Sequence, residues 1–164
     1  MLQERITYPL PYCRINDRNI VFANINSEGR LNEAAVIEQG VLEFNEDYIN
    51  YILVGLGTGY LHKSPLFENP LIELDVGDEI WGSEIVNGMP KTQKGSVENK
   101  DLNIIIPKEE AVKALLSPDI VEFMKESVNN GNTQIEMVAG KTELFTKGYL
   151  DMYQALTGEE ISLE

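Results

Sequence analysis

The sequence is poor in the residues and segments on which several protein classes depend. Its 164 residues include one cysteine, Cys13, and one histidine, His62. An internal disulfide needs two cysteines, and a zinc site of the usual type needs several Cys or His ligands, so the composition excludes both. The longest apolar runs, such as residues 104–106, fall far short of the ~20 residues that a membrane helix needs.

Other absences narrow the class further. Residues 1–5 contain no basic region followed by an apolar stretch, so we expect no secretory signal and a cytoplasmic, soluble protein. Hydrophobic residues make up 43% of the chain and charged residues 24%, as is typical of globular proteins. With no linker, repeat or low-complexity tract in view, the sequence predicts one domain over residues 1–164.

Positive charge is scarce. Thirteen Lys and Arg stand against 27 Asp and Glu, which gives a formal net charge of −14. Residues 31–90 contain Lys63 as their single basic residue against eleven acids. A field of this sign repels nucleic acids and anionic membranes, so we predict neither as a partner. A solvated acidic surface is the simplest interpretation, with mimicry of DNA as an alternative.

The N-terminal two-thirds of the chain has a pattern typical of strands. Residues 31–38 fit either a helix or a strand, and the polar residues 87–101 indicate a long loop. The predicted strands are Glu4–Tyr8, Asn19–Ile25, Gly40–Phe44, Tyr48–Val54, Leu71–Val76, Glu79–Val86 and Leu102–Ile106, with a hairpin turn at Gly77-Asp78.

The periodicity becomes helical after Pro107. The sequence predicts helices from Pro107 to Leu116, from Ser117-Pro118 to Asn130-Gly131, and from a capping Thr142 to Leu156. Thr133–Val138 alternates as a strand that joins the earlier sheet. The predicted fold is therefore α+β, a mostly antiparallel β-sheet in the N-terminal two-thirds with three C-terminal helices packed on it.

Three stretches have the outline of ligand-binding motifs. Gly55-Leu-Gly-Thr-Gly59 follows an apolar segment but lacks the helical crossover of a nucleotide fold, which favours a tightly packed turn. Residues 139–142 lack the first glycine of a phosphate loop, and the calcium-like residues 24–29 have Ala35 where a Glu ligand belongs. We therefore predict no cofactor and no metal ion.

No group of residues has a spacing diagnostic of catalysis, and we identify no catalytic residue. The carboxylates Glu73, Asp75 and Glu84 of the predicted hairpin are typical of a solvent-facing surface. We expect a non-enzymatic interaction or assembly subunit, a structural protein that forms a homo-oligomer or joins a larger complex, cellular or viral. The alternatives are a β-rich domain that binds a small molecule and a small enzyme that uses carboxylates.

The basic residues of the polar segment 87–101 are the candidates for partner contact. Lys91, Lys94 and Lys100 are concentrated here in a strongly acidic chain. Loops of this length without secondary structure are uncommon and tend to be functional. We interpret the segment as a contact arm whose lysines meet an acidic protein surface, with a simple connecting loop as the alternative.

Overall fold

The computed structural model describes residues 33–159, which form six helices, a 3₁₀ turn and five strands. The helices are α1 (Glu33–Leu42), α2 (Glu46–Leu56), α3 (Lys108–Leu116), α4 (Ile120–Asn129), α5 (Lys141–Thr146) and α6 (Tyr149–Thr157), and the 3₁₀ turn is Thr58–Tyr60. The strands are β1 (Leu71–Asp75), β2 (Ile80–Val86), β3 (Met89–Lys94), β4 (Leu102–Ile105) and β5 (Gln134–Met137).

Several expectations fall outside these residues. The predicted strands Glu4–Tyr8 and Asn19–Ile25, the calcium-like residues 24–29, and Cys13 precede the first described residue, Glu33.

The strands form one sheet in the order β3-β2-β1-β4-β5. Three neighbouring pairs are antiparallel and one, β1 with β4, is parallel. The α+β class and the mostly antiparallel sheet are thus confirmed. The parallel pair places β4 beside β1, and β5 follows on the other side of β4, so the C-terminal half of the chain shares one sheet with the hairpins that precede it.

The β1–β2 hairpin follows the prediction, with Leu74 opposite Trp81. The prediction of a long loop over residues 87–101 is wrong, because residues 89–94 form β3 and pair with β2. Asn87 and Gly88 both adopt positive φ, 54° and 78°. Two such residues make the tight turn that matches the twist of a hairpin, and Asn-Gly is its strongest sequence signal.

The strands predicted at Gly40–Phe44 and Tyr48–Val54 are wrong, because the chain is helical there. Of the ambiguous residues 31–38, those that the structure describes, 33–38, belong to helix α1. The Asn45 side chain caps α2 by accepting a hydrogen bond from the Asp47 backbone N–H. One face of α2 is buried, but Tyr51 and Val54 place apolar side chains on the side that is less covered, so the helix lacks a polar stripe and its sequence imitates a strand pattern. Its buried residues are Tyr48, Ile49, Ile52, Leu53, Gly55 and Leu56.

The first two predicted C-terminal helices are confirmed as α3 and α4, although the side chain that caps α4 is that of Asp119. The third is two helices, α5 and α6, so the prediction of three C-terminal helices is wrong. The chain breaks at Gly148, whose φ is 90°. Thr142 is not the cap of α5, because the N-cap position is Gly140.

The two faces of the sheet differ. One face packs against the helices and contributes the apolar side chains of the core, among them Ile72, Leu74 and Ile104, each at most 1% exposed. On the other face Glu73 lies opposite Gly82, and residues 95–101 cover part of this surface, with Val97 against Gly82. The helix-covered face therefore holds the core, and the outer face carries charged residues such as Glu73 and Asp75 together with apolar ones such as Ile80.

None of the helices within residues 33–159 combines the length and the hydrophobicity needed to span a membrane.

Candidate binding groove

An apolar groove of about 590 Å³ lies where the end of α2 meets the 3₁₀ turn, α4 and α6. We call it the apolar groove. Its lining residues are Val54, Gly55, Leu56, Gly57, Gly59, Tyr60, Val121, Lys125, Ala155 and Leu156. Lys125 is the one charged residue among them.

The glycines of the Gly55–Gly59 stretch explain why the groove exists there. Gly55 lies against Ile120 so closely that an added Cβ would come 2.9 Å from Cγ1 of that residue, which lets α2 and α4 approach each other. At Gly59 an added Cβ would meet nothing within 4 Å. The stretch ends a helix and forms a turn, as expected from the missing crossover, and its bare backbone leaves open space beside Tyr60.

Three large apolar side chains border the groove and remain partly exposed. Val54 is 45% exposed, Tyr60 53% and Val121 45%. These side chains expose apolar surface to water. A ligand or partner that covers this surface removes it from water, which lowers the free energy of the complex.

Two contacts hold the 3₁₀ turn that forms one wall of the groove. The Thr58 hydroxyl donates to the Gly88 carbonyl at 3.1 Å, which ties the turn to the β2–β3 hairpin. The His62 backbone N–H donates to the Lys147 carbonyl at 3.0 Å, which ties it to the α5–α6 junction. At that junction Gly148 touches the Tyr60 carbonyl, and any side chain there would clash with it.

Lys147 belongs to a buried ion pair with Asp101, which we call the inner ion pair. Its Nζ lies 3.0 and 3.1 Å from the two carboxylate oxygens of Asp101 and 2.7 Å from Glu143. The Lys147 and Asp101 side chains are 2% and 0% exposed. Lys and Asp are almost never fully buried unless they are paired, so each of these two side chains depends on the other for its buried position.

Asp101 is fixed to the sheet as well as to Lys147. Its carboxylate accepts hydrogen bonds from the Leu71 backbone N–H and the Tyr149 hydroxyl, both at 2.9 Å. Burial raises the pKa of Tyr149 well above its ordinary value, and the negative charge of Asp101 raises it further. The phenol therefore stays protonated and serves as a donor.

A second ion pair, between Glu73 and Lys100, lies on the outer face, and we call it the outer ion pair. Their charged atoms are 2.6 Å apart. The Ser96 hydroxyl and the Val97 backbone N–H also donate to Glu73. Burial alone would raise the pKa of Glu73, but the hydrogen bonds from Lys100, Ser96 and Val97 lower it below its ordinary value on balance.

A third charged cluster joins the β1–β2 turn to its surroundings. Lys94 contacts Glu79 at 2.8 Å, and Lys108 contacts Asp78 at 3.0 Å and Glu79 at 3.2 Å. The hydrogen bond from Lys94 lowers the pKa of Glu79, and the one from Lys108 lowers the pKa of Asp78. Lys108 gains a raised pKa, because its two acidic partners outweigh the effect of its burial.

The three lysines predicted to contact a partner do not form one patch. Lys94 and Lys100 are engaged by Glu79 and Glu73 of the same chain. Lys91 is exposed on the edge strand β3, opposite Glu84 of β2. Whether any of them contacts a partner stays a prediction, but the segment that carries them is a hairpin strand followed by a loop packed on the sheet.

The other candidates from the sequence are separate from the groove. Glu73 is buried by its ion pair, so the expectation of a solvent-facing hairpin is wrong for that residue, whereas Glu84 is exposed. His62 has an exposed side chain. Between residues 33 and 159 no three His, Cys, Asp or Glu side chains come together as metal ligands.

The sequence did not point to Val54, Val121, Asp101 or Lys147. Surface exposure of the two valines depends on which helix faces remain uncovered. Asp101 and Lys147 are 46 residues apart, and the only local signal is that Asp101 directly precedes an apolar strand, where a carboxylate can accept the backbone N–H of a neighbouring strand.

No family model matches the chain, and no curated protein matches it. Among solved structures, it is similar to a double mutant of the sec-alkyl sulfatase PisA1, with 11% identity and a TM-score of 0.39, over 76% of this chain and 17% of that chain. It is also similar to the UbiJ-SCP2 ubiquinone synthesis protein, with 6% identity and a TM-score of 0.37, over 77% of this chain and 95% of that chain. Similarity at this level carries no functional argument.

Proposed function

We propose that this chain is a non-enzymatic binding protein whose apolar groove takes a small apolar molecule that carries an anionic group. The observation that supports this most directly is the set of partly exposed apolar side chains around the groove, Val54, Tyr60 and Val121. Lys125 is the charged residue available to an anionic group on the ligand.

The dimensions of the groove favour a small molecule over a protein surface. Its volume of about 590 Å³ lies within the range of roughly 300–1,000 Å³ that is usual for small-molecule sites. A stable protein interface buries about 800 Å² on each partner and involves some 20–30 residues a side, more than the ten that line this groove.

The charged groups of the protein support a binding role rather than a catalytic one. Catalytic acids and bases lie in a cavity with pKa values matched to proton transfer. Here Glu73 and Glu79, whose pKa values are lowered, are held by lysines of the same chain, and neither lines the apolar groove.

A matched pair of exposed valines tests the proposal. Titration with the anionic dye anilinonaphthalene sulfonate should give saturable fluorescence with one site per chain. Val121→Asp places a charge in the groove and should abolish this binding. Val138→Asp is the control, because Val138 is 53% exposed and lies outside the groove. Equal binding by the wild type and both variants would reject the groove as the site.

Lys125 tests the chemistry of the ligand. Lys125→Gln removes the positive charge and should weaken binding of the anionic dye, because the ion pair is lost, while a neutral dye such as Nile red keeps its affinity. Equal losses for both dyes would contradict an anionic ligand.

A second candidate function is the protein association expected from the sequence, and α1 supports it. Ala34, Ile37, Val41 and Leu42 line a second groove of about 440 Å³ together with Glu38 and Glu109. Leu42 is 76% exposed. Apolar residues beside carboxylates complement the apolar face of a basic amphipathic helix, so we propose such a helix as the partner.

This candidate also has a matched control. A synthetic Leu/Lys amphipathic peptide should bind the wild type more tightly than Leu42→Gln. Leu66→Gln should bind like the wild type, since Leu66 is 77% exposed and lies outside the α1 groove. If all three proteins bind equally, the peptide recognises only the net negative charge.

A further inference from the structure

A continuous chain of contacts connects the inner ion pair with the wall of the apolar groove. Asp101 is joined to β1 in both directions, since its N–H donates to the Leu71 carbonyl at 2.7 Å and its carboxylate accepts the Leu71 N–H at 2.9 Å. The carboxylate then holds Lys147 by its Nζ. The sheet therefore fixes the position of Lys147 through a buried charge.

The backbone of Lys147 connects this fixed side chain to the wall of the groove. Its carbonyl accepts the His62 N–H at 3.0 Å, two residues after Tyr60. The next residue, Gly148, lies directly against the Tyr60 carbonyl and has a φ of 90°, a conformation that L side chains rarely adopt. Tyr60 thus sits between the α5–α6 junction and the groove that it lines.

We propose that Asp101 and Lys147 are positioning residues for the apolar groove, acting through the Lys147 carbonyl and His62 on the Tyr60 wall. This inference rests on the proposed function, because it concerns the same groove. Lys147 has no other way to reach a ligand, since its Nζ is buried and is hydrogen-bonded to Asp101 and Glu143.

The outer ion pair supplies the control. Lys147→Met and Lys100→Met each remove the cation from a buried carboxylate, but Lys100 and its partner Glu73 contact residues 96 and 97 rather than the groove. Lys147→Met should weaken binding of anilinonaphthalene sulfonate by roughly two- to thirtyfold, and Lys100→Met should leave it unchanged. Unchanged affinity in Lys147→Met, or equal losses in both variants, would overturn the proposal.

Amide hydrogen exchange gives a second readout that does not need a ligand. In Lys147→Met the exchange rate of the His62 amide should rise by more than that of the β1 amides, which report global unfolding, because its acceptor is no longer held in place. In Lys100→Met the His62 amide should show no such excess. If Lys147→Met does not fold, Glu143→Gln should cause a smaller change of the same sign, since Glu143 contacts Lys147 from a side chain that is 27% exposed. Unaltered His62 exchange in the folded variant would refute the positioning role.

The two proposals fail in different ways. A wild type that binds no dye rejects the proposed function, and the positioning role is then judged by His62 exchange alone. A wild type that binds the dye, with Lys147→Met equal to it in affinity, rejects the positioning role and leaves the groove as a binding site.

Discussion

The inner and outer ion pairs each hold a carboxylate in a buried position, but their surroundings differ. Each buries a carboxylate that accepts hydrogen bonds from a lysine, from a hydroxyl and from a backbone N–H. The inner pair is sealed, with Lys147 at 2% exposure, whereas Lys100 of the outer pair is 28% exposed. Asp101 connects strands and helices, and Glu73 connects the sheet with a surface loop.

This difference determines what each pair can control. Water cannot replace a lost partner in a fully buried pair, so the loss of one partner leaves an uncompensated charge in the core. A partly exposed lysine can be replaced by water, and the remaining donors of Glu73 stay in place. The inner pair should therefore govern global stability and the shape of the groove, and the outer pair should govern the local attachment of residues 95–101.

The largest expected effect comes from the inner pair. Lys147→Met should lower the free energy of unfolding by about 3–5 kcal/mol, the usual cost of removing one partner from a buried ion pair. Lys100→Met should cost about 1.5–3 kcal/mol, the scale of a hydrogen bond to a charged group. Denaturant unfolding monitored by Trp81 fluorescence measures both.

Lys113→Met is the reference for a surface pair. Lys113 contacts Glu109 at 3.3 Å, and both side chains are well exposed, so the change should stay within about 0.5 kcal/mol. Equal losses for Lys147→Met and Lys100→Met would contradict the distinction between a sealed and an open pair.

The outer pair can also be disturbed without changing a charge. Gly82→Ala adds a Cβ that would clash with the Val97 side chain and approach the Gly95 carbonyl at 3.1 Å. Residues 95–101 must then shift away from the sheet, which we expect to cost about 1–3 kcal/mol. Limited proteolysis should cleave this segment faster than in the wild type.

Gly140→Ala is the control for Gly82→Ala, because a Cβ at Gly140 meets nothing within 4 Å. Proteolysis of the two variants at the same rate would show that Val97 adapts without moving the loop.

Acid should weaken the outer pair. The pKa of Glu73 is lowered in the folded state, so the unfolded chain binds the proton more readily. The stabilisation is therefore fully present above the ordinary glutamate pKa of about 4.3 and is lost as the pH falls through the folded value.

Glu73→Gln isolates this contribution. The variant should be less stable than the wild type at pH 7, and the difference in unfolding free energy should shrink on acidification. Asp78 and Glu79 also have lowered pKa values, so both proteins keep some acid sensitivity. A difference that stays constant between pH 7 and pH 3 would contradict the role of the Glu73 charge.

The same contrast between sealed and open surroundings explains which features could be predicted from sequence. In strand β1 of the hairpin, the core residues Ile72 and Leu74 alternate with the acidic residues Glu73 and Asp75, and the prediction of a turn at Gly77 is confirmed. Helix α2 imitates a strand because Tyr51 and Val54 are apolar on its less covered side, so the polar stripe that distinguishes an amphipathic helix is missing.

The site was harder to predict than the fold. The turn at the glycines 55 and 59 follows from the sequence, but nothing in their spacing indicates that α4 and α6 approach to form a groove beside them. The inner ion pair arises from the parallel pairing of β1 with β4, a long-range feature. The Asn87-Gly88 turn, in contrast, has a local signal, because the Asn-Gly pair favours a tight hairpin turn even in a polar segment.

The smallest expected effect on stability belongs to Lys91, the remaining test of the predicted contact arm. Lys94 and Lys100 are engaged within the chain, so replacing all three lysines would mix stability with association. Lys91→Ser alone should change the unfolding free energy by less than about 0.5 kcal/mol, because the residue is exposed. If Lys91 contacts an acidic surface, the variant should associate more weakly and with less dependence on salt, since such contacts are screened.

A lysine on an edge strand also prevents unwanted pairing with other strands. If Lys91 has this protective role, light scattering should show that Lys91→Ser forms larger assemblies than the wild type. Weaker association of the variant would instead indicate a contact residue.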